Sequence, residues 1–304
     1  MVAPPRPKPC PVCTANTVLL EEISAEAIAR AYEDEFGIAP PQLGTIQDFE
    51  LYRCPDCQLE YFAPMLTGDE AFYDWVGAHS HYAPWRWEFE PILDLAGRVG
   101  GTVVEVGAGG GTLTRELVRA GLEVVAIEPS STAREALQDI QGATIYAHLD
   151  EFHSLGVEAD IVVSCHVLEH VADPVGYLVS LTSVVRRGGH IAVSVPQYRS
   201  LMRPSGRLEA FDCPPHHVTR WTSRALSTAL HIAGLTDVRI DWEALSCADA
   251  ARLLSEKLTG RDRRWFRGPL HKTGVGRQVV RITHGLAPDT WRARNIVGTG
   301  VRAR

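Results

Sequence analysis

The feature that most constrains this chain is an apolar strand that runs straight into glycines: Val103-Val104-Glu105-Val106-Gly107-Ala108-Gly109-Gly110-Gly111-Thr112. Glycines allow a sharp turn and close approach of backbone to a ligand, and a helix opening near Leu113 would present unpaired N–H groups there. The same strand–helix rhythm continues downstream. Short apolar runs at 102–106, 123–127, 144–147, 160–164 and 191–195 alternate with helical segments at 113–120, 132–140, 174–185 and 224–233. Runs this apolar fit a parallel sheet buried on both faces, the mark of an α/β domain. A final strand pair is expected at 237–242 and 295–302.

The glycine spacing departs from the dinucleotide fingerprint GxGxxG, because counting from Gly107 and Gly109 puts Thr112 at the third glycine position. That argues against a nicotinamide-dependent oxidoreductase. Glu105, inside the strand, suits ordering of the turn and contact with a ligand ammonium group. Glu128 closes the second strand about 20 residues after the glycines, where an acid suits a pair of ribose hydroxyls. The plainer alternative for Glu128 is a helix-start or surface acid. Asp150, after the third strand, is placed to reach an adenine amino group.

Two cysteine pairs, Cys10-Pro-Val-Cys13 and Cys54-Pro-Asp-Cys57, stand at the N-terminus. Four thiolates in two CxxC knuckles can close a tetrahedral Zn2+ site with no open position, a structural rather than catalytic arrangement. The glycine usual after each knuckle is replaced by Thr14 and Gln58. The chain has seven cysteines, an odd number, and this argues against a disulfide framework. Between the knuckles, strand-like runs at 17–20, 49–53 and 59–62 flank a helical patch at 25–36. Thr67-Gly68-Asp69-Glu70 reads as a capping box opening the next helix. An aromatic-rich stretch follows, with Tyr82 and Arg86 as expected acceptor contacts.

Three ordered segments carry a family resemblance. Val104–Gly111 resembles motif I of the class I S-adenosylmethionine-dependent methyltransferases. Ala126-Ile127-Glu128-Pro129-Ser130 is similar to their acidic second motif. Residues 160–174, with Cys165-His166-Val167-Leu168-Glu169-His170, resemble the fourth-strand motif of the quinone-type and natural-product subfamily. The resemblance implies a Rossmann-like seven-stranded methyltransferase sheet with helices on both faces, plus a small N-terminal zinc-binding module. It implies S-adenosylmethionine as cofactor, with Gly107, Ala108 and Gly109 at its methionine part. Glu128 and Pro129 would lie at its ribose, Leu149 and Asp150 at its adenine, and Cys165 and His166 beside its sulfonium.

The connection after the fifth strand holds Tyr198 and then Cys213-Pro214-Pro215-His216-His217. Long connections at such a place cover active-site mouths. The His pair is similar to a segment of zinc-module sugar C-methyltransferases, in which a His serves as or supports the base. That family has Glu before its second His, where this chain has His216. His217 is the first candidate for proton removal, followed by His216 and Tyr198; the alternative is that these histidines only bond loop backbone.

The resulting organisation is a zinc-binding module at 1–66, a helical aromatic bridge at 67–100, the cofactor-binding core at 101–242 and an Arg-rich helical segment with a final strand at 243–304. The last of these, from Arg252, carries 13 Lys/Arg against 3 Asp/Glu within a chain of net charge -7. It favours a phosphorylated small-molecule acceptor; the acidic remainder offers no strong nucleic-acid signal. No run approaches the roughly 20 apolar residues of a membrane span, and the Pro-rich N-terminus lacks a signal-peptide core, so the expected location is cytoplasmic. The expected activity is methyl transfer to oxygen or carbon of a nucleotide-linked sugar or natural-product intermediate. The alternatives are a methyltransferase acting on a macromolecule or lipid, and a non-catalytic cofactor-binding protein that recruits a partner through its zinc module.

Overall fold

The structure is a computed structural model that describes residues 8–79, 85–198, 208–243 and 294–303. The chain opens with β1 (Val18–Ile23), α1 (Ala25–Phe36), β2 (Phe49–Arg53) and β3 (Glu60–Ala63). The Ser24 hydroxyl accepts from the Ala27 N–H to cap α1, and Gly37 ends the helix in the left-handed region at φ 77°. Next come α2 (Glu70–His79) and α3 (Phe89–Val99). The cap of α2 lies two residues beyond the expected Thr67: the Asp69 carboxylate accepts from the Phe72 N–H at 2.8 Å. Gly68 is held outside the helix, its N–H donating to Pro215 O at 2.9 Å.

The core then runs β4 (Thr102–Val106), α4 (Thr112–Arg119), β5 (Glu123–Ile127), α5 (Ser131–Leu137), β6 (Ala143–Tyr146), α6 (Leu149–Ser154) and β7 (Ala159–Cys165). It continues through α7 (Pro174–Val184), β8 (Val185–Pro196), β9 (Thr219–Arg220), α8 (Ser223–Ile232), β10 (Leu235–Trp242) and β11 (Asn295–Arg302). Seven strands form one sheet in the order β6-β5-β4-β7-β8-β11-β10, parallel except where β11 inserts antiparallel to β8 and β10. Chain order reverses between β4 and β7, so their carboxyl ends flank the crevice where such sheets bind ligands.

Alternate strand residues serve opposite faces. Val103, Ile161, Val163 and Ala192 pack with Ile92 and Leu95 of α3 and Leu113 and Leu117 of α4. Their neighbours Val104, Val162, Ile191 and Val193 pack with Leu178 and Leu181 of α7 and Leu226 and Leu230 of α8. Each such fully buried aliphatic side chain stabilises the fold by about 1.5–3 kcal/mol.

A second sheet, β1-β2-β3-β9, crosses the expected module boundary at residue 66. Its fourth strand comes from the core, pairing Glu60 with Arg220 and Tyr61 with Thr219. Phe62 N–H also donates to Val218 O at 3.0 Å. The segment carrying the His pair is therefore hydrogen-bonded to the N-terminal sheet. Most of the Arg-rich stretch lies outside the described residues, as does Tyr82.

Candidate active site

The turn after β4 needs glycine for two different reasons. Gly107, Gly109 and Gly111 take φ values of 80°, 52° and 74°. A Cβ at Gly107 would stand 2.4 Å from Val167 Cγ2, whereas at Gly109 and Gly110 it would meet nothing within 4 Å. The turn is thus locked on its inner side and open on its outer side. The N–H groups of Gly107 and Ala108 donate to Ile127 O at 2.8 and 3.2 Å, tying the turn to β5.

Glu128, at the end of β5, is nearly buried and accepts from the Gly109 N–H at 2.7 Å and the Ser130 N–H at 2.9 Å, one on each oxygen. It is therefore no surface acid: it braces the turn. Glu105 is buried beneath the turn and accepts from the Thr114 hydroxyl at 2.6 Å. Burial pushes its carboxyl up to about 8, the Thr114 bond opposing and the Glu128 charge adding to the rise.

Beside this turn lies a group of imidazoles and carboxylates. His166, with a left-handed φ of 54°, presents Nε2 to Glu88 Oε1 at 2.5 Å and Nδ1 to Glu169 Oε1 at 3.1 Å. Both carboxylates are buried. Burial alone would lower His166, but the bonds to Glu169 and Glu88 carry it up to about 9, so the ring is an imidazolium at neutral pH. Glu169 would be raised by burial, yet His166 holds it down to about 2.

His170, His216 and His217 behave in the opposite way. Burial lowers them to about 4, 3 and 4, and repulsion between the rings adds to it. They are neutral. His170 Nδ1 lies 2.6 Å from His216 O, His216 Nδ1 lies 3.1 Å from Phe211 O, and His217 Nδ1 faces Asp212 Oδ1 at 3.6 Å. Carbonyl oxygens only accept, so His170 and His216 carry their protons on Nδ1 and leave Nε2 lone pairs.

Both halves open on one cavity of about 670 Å³. Its walls include Glu105, Gly107, Ala108 and Gly109 of the turn, Cys165 and His166 after β7, and His170, His216 and His217. Burial pushes the Cys165 thiol well above its ordinary value, so it is an uncharged wall rather than a nucleophile. Glu128, Pro129, Leu149, Asp150 and Tyr198 lie outside these walls. Leu149 and Asp150 open α6, with Asp150 exposed. The Tyr198 ring stacks on the Arg220 guanidinium at 4.7 Å, and its hydroxyl accepts from Arg220 at 3.3 Å.

Several residues of the site are absent from the sequence expectation in any direct role. Glu88 has no local signal, standing 78 positions from its His166 partner. Asn295 and Phe211 also line the cavity. Glu169 and His170, which the sequence shows only as part of the motif after the fourth strand, line the cavity as well.

At the N-terminus the four cysteines converge. Cys10 and Cys57 Sγ stand 3.6 Å apart, Cys13 and Cys54 Sγ 3.4 Å, and all four within 4.8 Å of one another. The knuckles repeat one pattern: Thr14 N–H donates to Cys10 O and Gln58 N–H to Cys54 O. Thr14 and Gln58 adopt φ 61° and 68°, so the left-handed turn forms without the usual glycine.

A seven-stranded sheet with β11 antiparallel between β8 and β10, a glycine turn without the GxGxxG spacing and an acid closing β5 together mark a class I S-adenosylmethionine-dependent methyltransferase. The chain belongs to the methyltransferase-domain family, whose model matches residues 80–240. It is 31% identical over 136 residues to the ubiquinone biosynthesis O-methyltransferase of Cupriavidus pinatubonensis, a match covering 38% of this chain and 54% of that protein. It is 30% identical over 165 residues to the protein of the same name from Pectobacterium atrosepticum, covering 46% and 67%. The chain thus spans about half to two thirds of the length of these curated relatives. Among solved structures it is similar to a SAM-dependent methyltransferase from Archaeoglobus fulgidus, with 16% identity, a TM-score of 0.48, and coverage of 77% and 100%.

Proposed function

We propose that this chain methylates an oxygen on a small molecule, with the cofactor on the glycine turn and the acceptor against the imidazole cluster. One observation carries the reading: Gly107–Gly109 and His170, His216 and His217 line the same cavity. S-adenosylmethionine supplies a methyl group on a sulfonium that leaves as a neutral thioether. The chain's own tasks are to align the two reactants, exclude water and accept one proton.

The residues suit those tasks. Each Glu128 oxygen accepts one backbone N–H and keeps a lone pair for a ribose hydroxyl. Glu105 stands under the turn, where an incoming ammonium would favour its ionised form. His217 is the base: it is neutral, and Asp212 behind Nδ1 would stabilise the proton it gains. His166, already protonated, is excluded from that role and holds the loop instead.

The O-methyltransferase names of the curated relatives support oxygen as the acceptor atom. Among acceptors we favour a hydroxylated natural-product intermediate, a nucleotide-linked sugar included. We further infer that Cys10, Cys13, Cys54 and Cys57 hold a structural Zn2+. Sulfurs on a tetrahedral zinc stand about 3.8 Å apart, close to the pair separations here.

Calorimetry tests the cofactor half: S-adenosylhomocysteine should bind at micromolar strength and NAD not at all. Binding of NAD in its place would overturn the assignment. Turnover with saturating acceptor tests the base: an unchanged rate in His217→Ala removes that residue from the mechanism.

A further inference from the structure

We propose that His170, His216 and His217 form a second metal site, separate from the cysteine cluster, that binds a divalent transition-metal ion beside the cofactor turn. One ring nitrogen from each histidine lies within 4.8 Å of the other two. Ligand nitrogens on a tetrahedral Zn2+ stand about 3.3 Å apart, so closing on an ion asks each ring for a shift on the order of 1 Å.

The orientation of the rings is the stronger observation. Metal-binding histidines present one nitrogen to the ion and point the other at a carbonyl or carboxylate that fixes the tautomer. All three rings here do the second half of that. His170 Nδ1 meets His216 O, His216 Nδ1 meets Phe211 O, and His217 Nδ1 faces Asp212. With Nδ1 so engaged, each ring keeps Nε2 for an ion, and those of His170 and His217 both face Glu169 Oε1.

A carboxylate stands among them. Glu169 Oε1 is 3.9 Å from both His170 Nε2 and His217 Nε2. Glu169 is 1% exposed, and its Oε2 has no hydrogen-bond partner among the described residues. A buried carboxylate oxygen without a partner is costly, and a nearby cation removes that cost. Three imidazoles with one carboxylate at the rim suit Zn2+, Fe2+ or Co2+ rather than Mg2+ or Ca2+.

All three histidines line the cavity shared with Gly107 and Gly109, so the ion's open position faces the cofactor turn. With the ion bound, that position would take the acceptor oxygen as its oxyanion, the proton passing to solvent, and His217 would act as base only in the ion-free chain. This role rests on the methyltransferase reading; the metal site itself does not.

The test is uptake of Co2+ by the full-length chain, with the cysteine site also loaded with Co2+, in equilibrium dialysis followed by metal analysis and visible spectroscopy. Wild type should take up one cobalt more than His170→Gln or His216→Gln, with d–d bands that lack thiolate-to-cobalt charge transfer. Cys10→Ser should lose the charge transfer and keep those bands. A wild-type protein that holds a single ion, all of it with sulfur charge transfer, overturns the proposal without recourse to any variant. Equal uptake by wild type and both His variants also overturns it. S-adenosylhomocysteine titration of the same samples keeps the two readings apart. Cobalt uptake without cofactor binding would sink the methyltransferase reading alone, and cofactor binding with a single ion would sink the metal site alone.

Discussion

Replacing Glu88 by Gln should flatten the alkaline side of the stability profile. Glu88 is fully buried, and its Oε1 receives His166 Nε2 at 2.5 Å. Burial raises Glu88, but the His166 bond and charge outweigh it and leave the carboxyl below its ordinary value. Its imidazolium partner titrates at about 9 when folded, against about 6.5 for an unfolded chain. The folded state therefore keeps a proton that the unfolded state gives up above pH 6.5. The stabilisation is complete below pH 6.5 and is lost as pH rises through about 9. At about 1.4 kcal/mol per pH unit the loss comes to about 3 kcal/mol. His166 side-chain exposure is only 17%, so solvent screens this little.

With Gln at position 88 the ring keeps only Glu169, and burial pulls it towards neutrality. The fall between pH 6.5 and 9 should shrink to about 1 kcal/mol or less. Glu105, raised to about 8, also titrates in this window, but it does so in both proteins and cancels from their difference. Urea unfolding followed by tryptophan fluorescence at several pH values measures both curves. Parallel curves, or a His166 ring that titrates near 6.5 by NMR, would refute the reasoning.

Acid should expose the other three histidines. His170, His216 and His217 stay neutral in the fold to about 4, 3 and 4, so stability present above pH 6.5 falls as pH drops below it. The slope should approach about 4 kcal/mol per pH unit if all three act, and urea midpoints between pH 6.5 and 5 measure it. Cofactor binding near pH 7 should release a proton from Glu105, making the calorimetric enthalpy depend on the buffer's ionisation heat; identical heats in phosphate and Tris count against it. Gly107→Ala should cost at least about 1–3 kcal/mol, because it combines a left-handed φ with a 2.4 Å approach to Val167. Gly110→Ala, in open space, should leave stability nearly unchanged and weaken S-adenosylhomocysteine binding if the cofactor lies on that turn.

The core was legible because its strands are buried on both faces. Such strands read as unbroken apolar runs, and β4 and β5 fall where the runs do. Glu128 was legible for a related reason: the sheet's geometry fixes which residue closes β5. What could not be read are contacts that depend on where distant segments meet. Glu88 sits at the start of a helix with nothing local to distinguish it, and its meaning appears only when β7 delivers His166 to it. β9 is two residues long, too short for any periodicity to register, yet it decides where the His pair stands.

That short strand ties the cysteine module to the segment proposed to meet the acceptor. Cys54 and Cys57 lie in the turn between β2 and β3, β3 pairs with β9, and β9 begins two residues after His217. The buried Arg220 side chain on β9 reinforces the link, lying over the Phe62 ring at 4.7 Å and pairing with Asp212 at 3.0 Å. The glycine turn, by contrast, is braced by β5 and Glu128 within the core sheet. If the four thiolates hold zinc as proposed, Cys54→Ser should lower stability by several kcal/mol, since a structural zinc contributes on the order of 10 kcal/mol. In the fraction that remains folded it should impair acceptor turnover far more than S-adenosylhomocysteine affinity. Both measured on the same preparation decide the matter, and a parallel loss of the two would show that the module serves the whole fold rather than the acceptor side.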